Sequence, residues 1–324
     1  MSNASSFPSL LVAPDGGACT EEGCRIPSGG VTSTTGADTG RRFGGLDRLY
    51  GEGACDALSR LHVVVAGIGG VGTWCVEALA RSGVGALTLV DLDHIAESNV
   101  NRQVHALTST LGQSKVLAMA ARVRDINPLC QVRCVDDFAE PGNLDAILAA
   151  PSPSTWRNLL VDCTDQVVAK IAMILRAREL GWPMLVCGGA GGKTDPMALR
   201  AGDLADAAND ALLGRVRQEL RKRHGYPKGG AAGGKPHRRP PRMGVSCLWF
   251  DQPVVLPAAW TRNAAATVAA VPGAALSGGV PGSPVASGPQ GLSCAGYGSV
   301  VTITATMGMA AADWAIHRGL PTAS

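Results

Sequence analysis

The chain has 324 residues, of which 46% are apolar and 17% are charged, and its net charge is +3. This composition fits a soluble globular protein with enough residues for one large core or two small ones. The ten cysteines include no CxxC pair, which argues against a zinc ribbon and a disulfide framework and favours a reducing compartment. No charged start followed by a long apolar run opens the sequence, so we expect no secretory signal.

Residues 1–40 are rich in Ser, Gly, Thr and Ala and have little periodicity, so we predict a disordered N-terminal segment. A transit peptide is the alternative, but four acidic residues count against it. We therefore expect a cytoplasmic protein, with a mitochondrial location as the alternative if the source is a eukaryote.

A glycine-rich turn organises the central part of the chain. The β-branched run 63–65 enters a turn with Gly67, Gly69, Gly70 and Gly72, and helical spacing follows. Such a turn brings the backbone close to a phosphate and directs the helix N-terminus at it. The next strand, 86–90, ends in Asp91, whose carboxylate can accept a hydrogen bond from a ribose hydroxyl. The pattern predicts a nucleotide site.

The other elements alternate in the same way. The segment 41–51 leads into a predicted helix that ends at Leu58, and further helices are predicted over 112–126, 142–150 and 164–180. Strands are predicted over 131–135, 158–161 and 183–186, the last leading into the glycine loop 188–193. The alternation indicates an α/β fold with a Rossmann-like, doubly wound, mostly parallel sheet, in which ligands bind at the carboxyl ends of the strands.

The late part of the chain is unusual in charge and composition. Residues 215–242 contain ten Lys or Arg against Glu219 alone, so this segment carries +9 and the rest of the chain −6. A solvated linker and a contact for a polyanion such as RNA both explain it.

Residues 257–290 form a low-complexity insert. The apolar segment 300–316, which holds Asp313, indicates a closing buried helix and no membrane span.

A polar loop after the second strand distinguishes this site from a dinucleotide site. Asp93, Asn99, Asn101, Arg102 and Gln103 lie on it, and Lys115 follows in the next helix. An NAD-binding fingerprint does not need two cations and several amides near the phosphates. They suit the charge that develops when a carboxylate attacks ATP.

The acid that ends a later strand suggests a metal ligand. Asp162 follows strand 158–161, and Asp165 is three residues further on. Carboxylates so placed can hold a magnesium ion that bridges a triphosphate. We predict Asp162 as the magnesium ligand.

This order of residues resembles the ThiF-type adenylating enzymes, relatives of the ubiquitin-activating enzymes. Several segments are similar to the tRNA threonylcarbamoyladenosine dehydratase branch: 42–45, 48–51, 101–107, 126–128, 135–138, 188–196 and 244–247. The resemblance covers about 41–256 and 293–318. It divides the chain into an ATP-binding adenylation domain (41–225), a basic Gly/Pro-rich loop (226–242) and a C-terminal part of the same domain (243–324).

The resemblance implies a reaction on tRNA. ATP would activate the threonyl carboxylate of the modified adenosine next to the anticodon, and a carbamoyl nitrogen would close a cyclic hydantoin. Asp91 would bind the ribose, Arg102 and Lys115 the phosphates, and Asp162 the magnesium ion. A homodimer is implied, in which Arg48, or less favourably Arg41 or Arg42, reaches ATP from the partner subunit.

Further expectations of this resemblance are a structural monovalent cation, a cysteine-desulfurase sulfur-acceptor system as partner, and no zinc. The alternative is adenylation of a sulfur-carrier protein's C-terminus, which the missing CxxC pairs weaken.

Two sets of residues resemble other sites. The loop 187–194 nearly matches a P-loop, but Cys187 replaces the first glycine and Pro196 disfavours the helix that should follow. We interpret it as a strand-end loop beside the substrate. Cys187, Cys247 and Cys294 include candidate nucleophiles, but ring closure needs no thiol, so structural roles are favoured.

Overall fold

The computed structural model describes residues 37–149, 156–228, 240–256 and 297–321. Most of the predicted N-terminal segment, all of the insert 257–290 and most of the basic loop lie outside these residues. In chain order the helices are α1 (Thr39–Phe43), α2 (Gly45–Tyr50), α3 (Ala54–Ser59), α4 (Gly72–Arg81), α5 (Lys115–Ile126), α6 (Leu144–Ile147), α7 (Val167–Leu180), α8 (Ala211–Arg223) and α9 (Val301–Gly319). The strands are β1 (Leu61–Ala66), β2 (Ala86–Val90), β3 (Gln131–Val135), β4 (Arg157–Asp162), β5 (Met184–Cys187), β6 (Leu199–Asp203) and β7 (Ser246–Phe250).

These strands form one sheet in the order β3-β2-β1-β4-β5-β7-β6. All neighbouring pairs are parallel except β6 and β7. The strand order reverses between β1 and β4: the chain continues from β1 to β2 on one side and from β4 to β5 on the other. Doubly wound sheets bind ligands in the crevice at this point. The predicted α/β fold with a mostly parallel sheet is confirmed.

β1 is buried along its whole length. Its one polar side chain, His62, contacts Asn158 on β4 and Thr88 on β2 through its two ring nitrogens, at 2.8 and 3.0 Å. A central parallel strand is covered on both faces, so this apolar run needs no alternation.

The helix predicted to end at Leu58 is α3, and the segment 41–51 before it also contains helices, which were not predicted. Three short helices, α1 to α3, occupy the region 39–59 because glycines interrupt it. Gly51 and Gly53 adopt φ angles of +99° and +86°, which a right-handed helix cannot accommodate. Three helices begin later than predicted: α5 at Lys115, after Gly112 with φ +80°, α6 at Leu144, and α7 at Val167.

The edge strand β6 was missed. It is short and mostly exposed, and it pairs antiparallel with β7. Its sequence Leu-Arg-Ala-Gly-Asp has low strand propensity, so only the pairing with β7 defines it.

The closing helix α9 packs on α4 through small residues. Ala311, Ala312 and Ala315 are buried, and a methyl group on Gly308 would overlap with the carbonyl oxygen of Val71. Because Val71 precedes α4, this close approach fixes the start of that helix. The prediction of a buried closing helix is confirmed, and none of the described helices has the length and hydropathy of a membrane span.

Candidate functional site

A cavity of about 760 Å³ opens at the carboxyl ends of the parallel strands. Most of its lining belongs to two groups of residues, which we name by position. The turn half consists of Gly67, Gly69, Gly70, Val71, Asp91, Asp93, Asn99, Arg102, Gln103 and Lys115, and the β5 half consists of 163–166, 188–191, Lys193 and 209–212. The structure therefore brings nine of the thirteen predicted site residues to one cavity; its lining does not include Gly72, Asn101, Asp162 and Arg48.

The glycine turn is defined by backbone contacts. The Gly67 N–H donates to the Val90 carbonyl at 2.8 Å, and the φ of Gly67 is +87°. A methyl group on Gly67 would lie 2.8 Å from the carbonyl carbon of Cys163, and one on Gly72 would overlap with the Gly67 carbonyl oxygen. A methyl group on Gly69 would have no neighbour within 4 Å. Gly67 and Gly72 are thus required by the fold, whereas Gly69 leaves room for a ligand.

Asp91 connects β2 to the glycine turn. Its carboxylate accepts from the Ile68 N–H at 2.7 Å and from the Asp93 N–H at 2.9 Å. Burial raises the pKa of Asp91, and Lys115 acts in the opposite direction. Each carboxylate oxygen retains a further lone pair, so Asp91 can also accept from a ribose hydroxyl, as its predicted role requires.

Lys115 is buried at the first position of α5. Its Nζ lies 2.6 Å from Asp93 Oδ2 and 3.7 Å from Asp91 Oδ1. The two carboxylates hold the ammonium group at the cavity wall, where it still has donors for a third anionic oxygen.

The loop before α5 holds Arg102 at the same wall. The Arg102 guanidinium donates to the Ser98 carbonyl at 2.7 Å and to Asn101 Oδ1 at 2.9 Å. The Arg102 carbonyl accepts from the Trp74 indole at 2.9 Å. A guanidinium has five N–H donors, so Arg102 can also donate to phosphate oxygens.

The amides of this loop have different positions. Asn99 accepts from the Ala96 N–H at 3.0 Å and closes the loop on itself. Asn101 donates to the Ser299 carbonyl at 2.9 Å and joins the loop to the segment before α9. Gln103 lines the cavity and is buried, and its Oε1 has no hydrogen-bond partner in the described structure. Gln103 is therefore the amide best placed to meet a ligand.

His105, which was not predicted as a site residue, is buried behind this wall with 3% exposure. Burial, together with the smaller effects of the nearby charges of Lys115 and Arg122, lowers its pKa to about 4. A neutral imidazole is therefore maintained at physiological pH beside the cationic part of the cavity.

Asp162 occupies a different environment from the predicted one. It is fully buried and absent from the cavity lining, and its Oδ1 accepts from the Thr164 N–H at 2.9 Å and hydroxyl at 2.7 Å. Its Oδ2 lies 3.1 Å from Nζ of Lys170, which is also fully buried. A magnesium ion on Asp162 would displace this ammonium or be repelled by it.

The predicted magnesium role of Asp162 therefore does not fit this geometry. Among the described residues, no three acidic, His or Cys side chains cluster as a metal site. Asp165, on the cavity wall, is the nearer carboxylate to a ligand.

Lys170 was missed because it lies within the apolar part of a helix sequence. Its Nζ also donates to the Cys187 carbonyl at 2.8 Å, so one side chain joins the ends of β4 and β5. The only sequence signal is a lysine eight residues after the strand-end aspartate, which spacing alone does not distinguish from a surface residue.

The rest of the β5 half is joined by similar contacts. Asp210 accepts from the Gly189 N–H at 2.8 Å and from the Leu213 N–H at 2.9 Å. Its carboxylate therefore caps α8 and connects that helix to the glycine loop. Lys193 donates to the Asn209 carbonyl at 2.8 Å and to the Gln252 carbonyl. Burial lowers the pKa of Lys193, and the negative charges of Asp210 and Asp251 act in the opposite direction. The loop is followed by the three-residue 3-10 helix Pro196–Ala198 and by β6, and not by the α-helix that a P-loop requires, so it is no P-loop.

Arg48 does not reach the cavity within one chain. It is exposed on α2, and the cavity lining does not include it. Arg41 is exposed as well, and Arg42 donates to the Ile126 carbonyl at 2.8 Å and so caps α5.

The cysteines near the site are buried. Cys187 and Cys247 are each 1% exposed, and burial raises the pKa of Cys247 well above its usual value. Neither has the environment of an activated thiolate. Cys294 lies outside the described residues.

Comparison with known proteins identifies a family whose matched region includes the glycine turn, Asp91, Arg102 and Lys115. The model of the ThiF family matches residues 45–320. The chain belongs to the ThiF family. The resemblance described from the sequence is thereby confirmed.

Members of the ThiF family similar to this chain include an enzyme of Escherichia coli strain K12 named tRNA threonylcarbamoyladenosine dehydratase. It is 37% identical over 279 residues, which are 86% of this chain and 93% of that protein. The crystal structure of the E. coli dehydratase in complex with ATP superposes with a TM-score of 0.68 at 33% identity and covers 87% of this chain and 96% of that one.

A sulfur-carrier relative matches less of this ThiF-family chain. The molybdopterin-synthase adenylyltransferase of E. coli strain K12 is 34% identical over 115 residues, which are 36% of this chain and 44% of that protein. The similarity to the dehydratase therefore covers most of this chain, and the similarity to the adenylyltransferase is limited to about a third of it.

Proposed function

We propose that this chain is an ATP-dependent tRNA threonylcarbamoyladenosine dehydratase. The observation that carries the proposal is the similarity to the E. coli dehydratase over 93% of that enzyme's length. The cavity supports it, because the turn half has the shape and donors for a nucleotide and the β5 half leaves space for a second reactant beside it.

The first step would be adenylation of a carboxylate. The threonyl carboxylate attacks the α-phosphorus of ATP, an acyl–phosphate bond forms, and pyrophosphate leaves. Negative charge increases on the non-bridging oxygens during this attack. Arg102 and Lys115 lie on the same wall and would stabilise that charge with preformed donors.

The second step would close the ring. The carbamoyl nitrogen attacks the activated acyl carbon and loses its proton, and AMP leaves with the bonding electrons. One water equivalent is removed from the modified adenosine overall, and ATP hydrolysis to AMP and pyrophosphate takes it up. The role of this chain would be to hold both reactants and to exclude water, which competes for the acyl-adenylate.

ATP–pyrophosphate exchange and AMP release test this proposal. They should be measured with tRNA carrying threonylcarbamoyladenosine and with unmodified tRNA, and the cyclic product should be detected by mass spectrometry. We expect turnover with the modified tRNA only. Arg102→Ala should lower it by about 100-fold or more, since a donor to the developing charge is lost.

Arg124→Ala is the matched control, because Arg124 is exposed near the opposite end of α5 and should keep full activity. Turnover with the C-terminus of a sulfur-carrier protein and none with modified tRNA would replace the proposal by sulfur-carrier adenylation. No turnover with either substrate would contradict both.

We also propose that two chains form a homodimer in which Arg48 completes the partner's site. Leu49 beside it is 71% exposed and Tyr50 is 37% exposed, which suits an interface. Mixing Arg48→Ala with Arg102→Ala subunits should restore up to about a quarter of wild-type activity, since half of the dimers would then hold one intact site. Two inactive variants that stay inactive when mixed would contradict this arrangement.

A further inference from the structure

The helix α8 begins at the cavity and ends in a cluster of positive charge. Asp210, Ala211 and Leu212 at its start line the cavity. With 13 residues, the helix extends about 20 Å from that point at 1.5 Å per residue. A rigid element therefore connects the reaction site to a basic surface.

The exposed side of α8 is cationic, and its other side is packed. Leu212, Leu213, Val216 and Leu220 are buried, which fixes the orientation of the helix. Arg215 and Lys222 are exposed and lie seven residues apart, on one stripe of the helix about 10 Å from each other. Arg223 is also exposed, although Glu219 shares its charge at 3.0 Å.

The basic surface continues beyond the helix. Lys228 and Arg242, on the connection to β7, are exposed as well. We name Arg215, Lys222, Arg223, Lys228 and Arg242 the α8 surface. The neighbouring described segments hold four acidic residues: Glu219, Asp206, Asp210 at the start of α8, and Asp203, which accepts from the Met243 and Gly244 N–H groups. The five cations of the α8 surface outnumber them, so its net charge is positive.

The rim on the other side of the cavity has the opposite charge. Asp137 and Glu140 line the cavity there and are exposed, and Asp136 beside them is exposed too. A polyanion whose reacting group enters the cavity is repelled at this rim and attracted along α8. This asymmetry gives the bound polyanion a direction, which a solvated linker would not require.

We infer that the α8 surface binds phosphates of the RNA whose modified base reacts in the cavity. The inference rests on the proposed function, because that function requires the RNA backbone to continue from the cavity over the protein surface. Contacts of lysine and arginine with phosphates position a nucleic acid without reading its sequence. They contribute affinity that falls steeply with salt.

The test compares two variants that each lose two positive charges. Arg215→Gln/Lys222→Gln removes both members of the stripe, and glutamine keeps the helix propensity. The control, Arg60→Gln/Arg124→Gln, removes two exposed cations near the amino end of β1 and the end of α5, away from the cavity. Michaelis constants for tRNA bearing threonylcarbamoyladenosine are measured from 50 to 300 mM KCl, together with ATP affinity and thermal unfolding.

We expect the stripe variant to raise the KM for the modified tRNA by about tenfold at moderate salt, with kcat and ATP affinity unchanged. The log–log dependence of KM on salt should become shallower by about 1.5, since two phosphate contacts are lost. Arg215→Lys/Lys222→Arg, which keeps both charges, should behave as wild type.

Equal KM and salt dependence in the stripe variant, the control and wild type would overturn the inference and would favour a protein ligand for this surface. The same holds for a loss in kcat or ATP affinity without a change in KM. Failure of the wild type itself to act on the modified tRNA would instead contradict the proposed function, so the two failures are distinguishable.

Discussion

The two halves of the cavity are built in different ways. The turn half comes largely from one continuous region, 67–115, and its shape depends on backbone contacts such as Gly67 N–H to the Val90 carbonyl. The β5 half combines three separate segments, which buried side chains join: Lys170 to Cys187, Asp210 to Gly189, and Lys193 to Asn209. The residues of the turn half are close in the chain, whereas those of the β5 half come from segments that are distant in the chain.

This difference predicts unequal responses to substitution. In the turn half, a side chain added at a glycine with no free space should lower the stability of the protein. A side chain added at a glycine with free space beside it should lower the affinity for the ligand. In the β5 half, which depends on buried ionic contacts, the loss of one charge of a pair should lower the unfolding free energy most.

The largest effect is expected for Lys170→Met. Removing the ammonium group leaves the fully buried Asp162 carboxylate without its partner, which should cost about 3–5 kcal/mol of unfolding free energy. Urea denaturation measures the loss. Asp162→Asn/Lys170→Met removes both charges and should recover at least half of it; a double variant as unstable as the single one would show that the ion pair is not the cause.

The turn half should be more sensitive to acid because of His105. Its pKa is lowered from 6.5 to about 4, so stability is complete above pH 6.5 and is lost as the pH falls toward 4. The wild type should lose about 3 kcal/mol over this window relative to His105→Gln, which has no proton to gain. Chemical denaturation of both proteins at pH 7, 5.5 and 4 measures the difference, and parallel curves would contradict the assignment.

A smaller effect is expected for Gly72→Ala. The added methyl group overlaps with the Gly67 carbonyl oxygen, so the backbone of the turn must move, at a cost of about 1–3 kcal/mol. Thermal or urea unfolding would record it. A variant as stable as wild type would show that the turn is less tightly defined than its contacts indicate.

The smallest change in stability is expected for Gly69→Ala, the matched control within the same turn. Its methyl group meets no protein atom within 4 Å, so unfolding free energy should stay within about 0.5 kcal/mol of wild type. ATP affinity should fall by about tenfold, because the backbone can no longer approach the phosphates. Calorimetric titration with ATP separates this loss of binding from a loss of stability, and unchanged affinity would place the phosphates elsewhere.

The same contrast explains which features the sequence revealed. β2 and β3 were predicted with their observed bounds, and Asp91, Arg102 and Lys115 were predicted together, because strands, turns and a contiguous motif leave local signals. β6 and Lys170 were not found, because each is defined by a partner distant in the chain: β7 for the strand, Asp162 and Cys187 for the lysine. Asp162 was selected correctly as a strand-end acid, but only the folded structure shows that an ammonium group occupies its free oxygen.

Packing of α9 on α4 has a consequence for synthesis on the ribosome. The glycine turn leaves the ribosomal exit tunnel long before Gly308. Because Gly308 has no side chain, α9 can pack against Val71. A nascent chain that ends before α9 therefore presents the start of α4 without its cover, and the apolar face that α9 would bury remains exposed to chaperones and proteases. Competence for nucleotide binding should thus appear late in translation, when the last helix is released, so that interrupted products are recognised as unfinished before they can hold ATP.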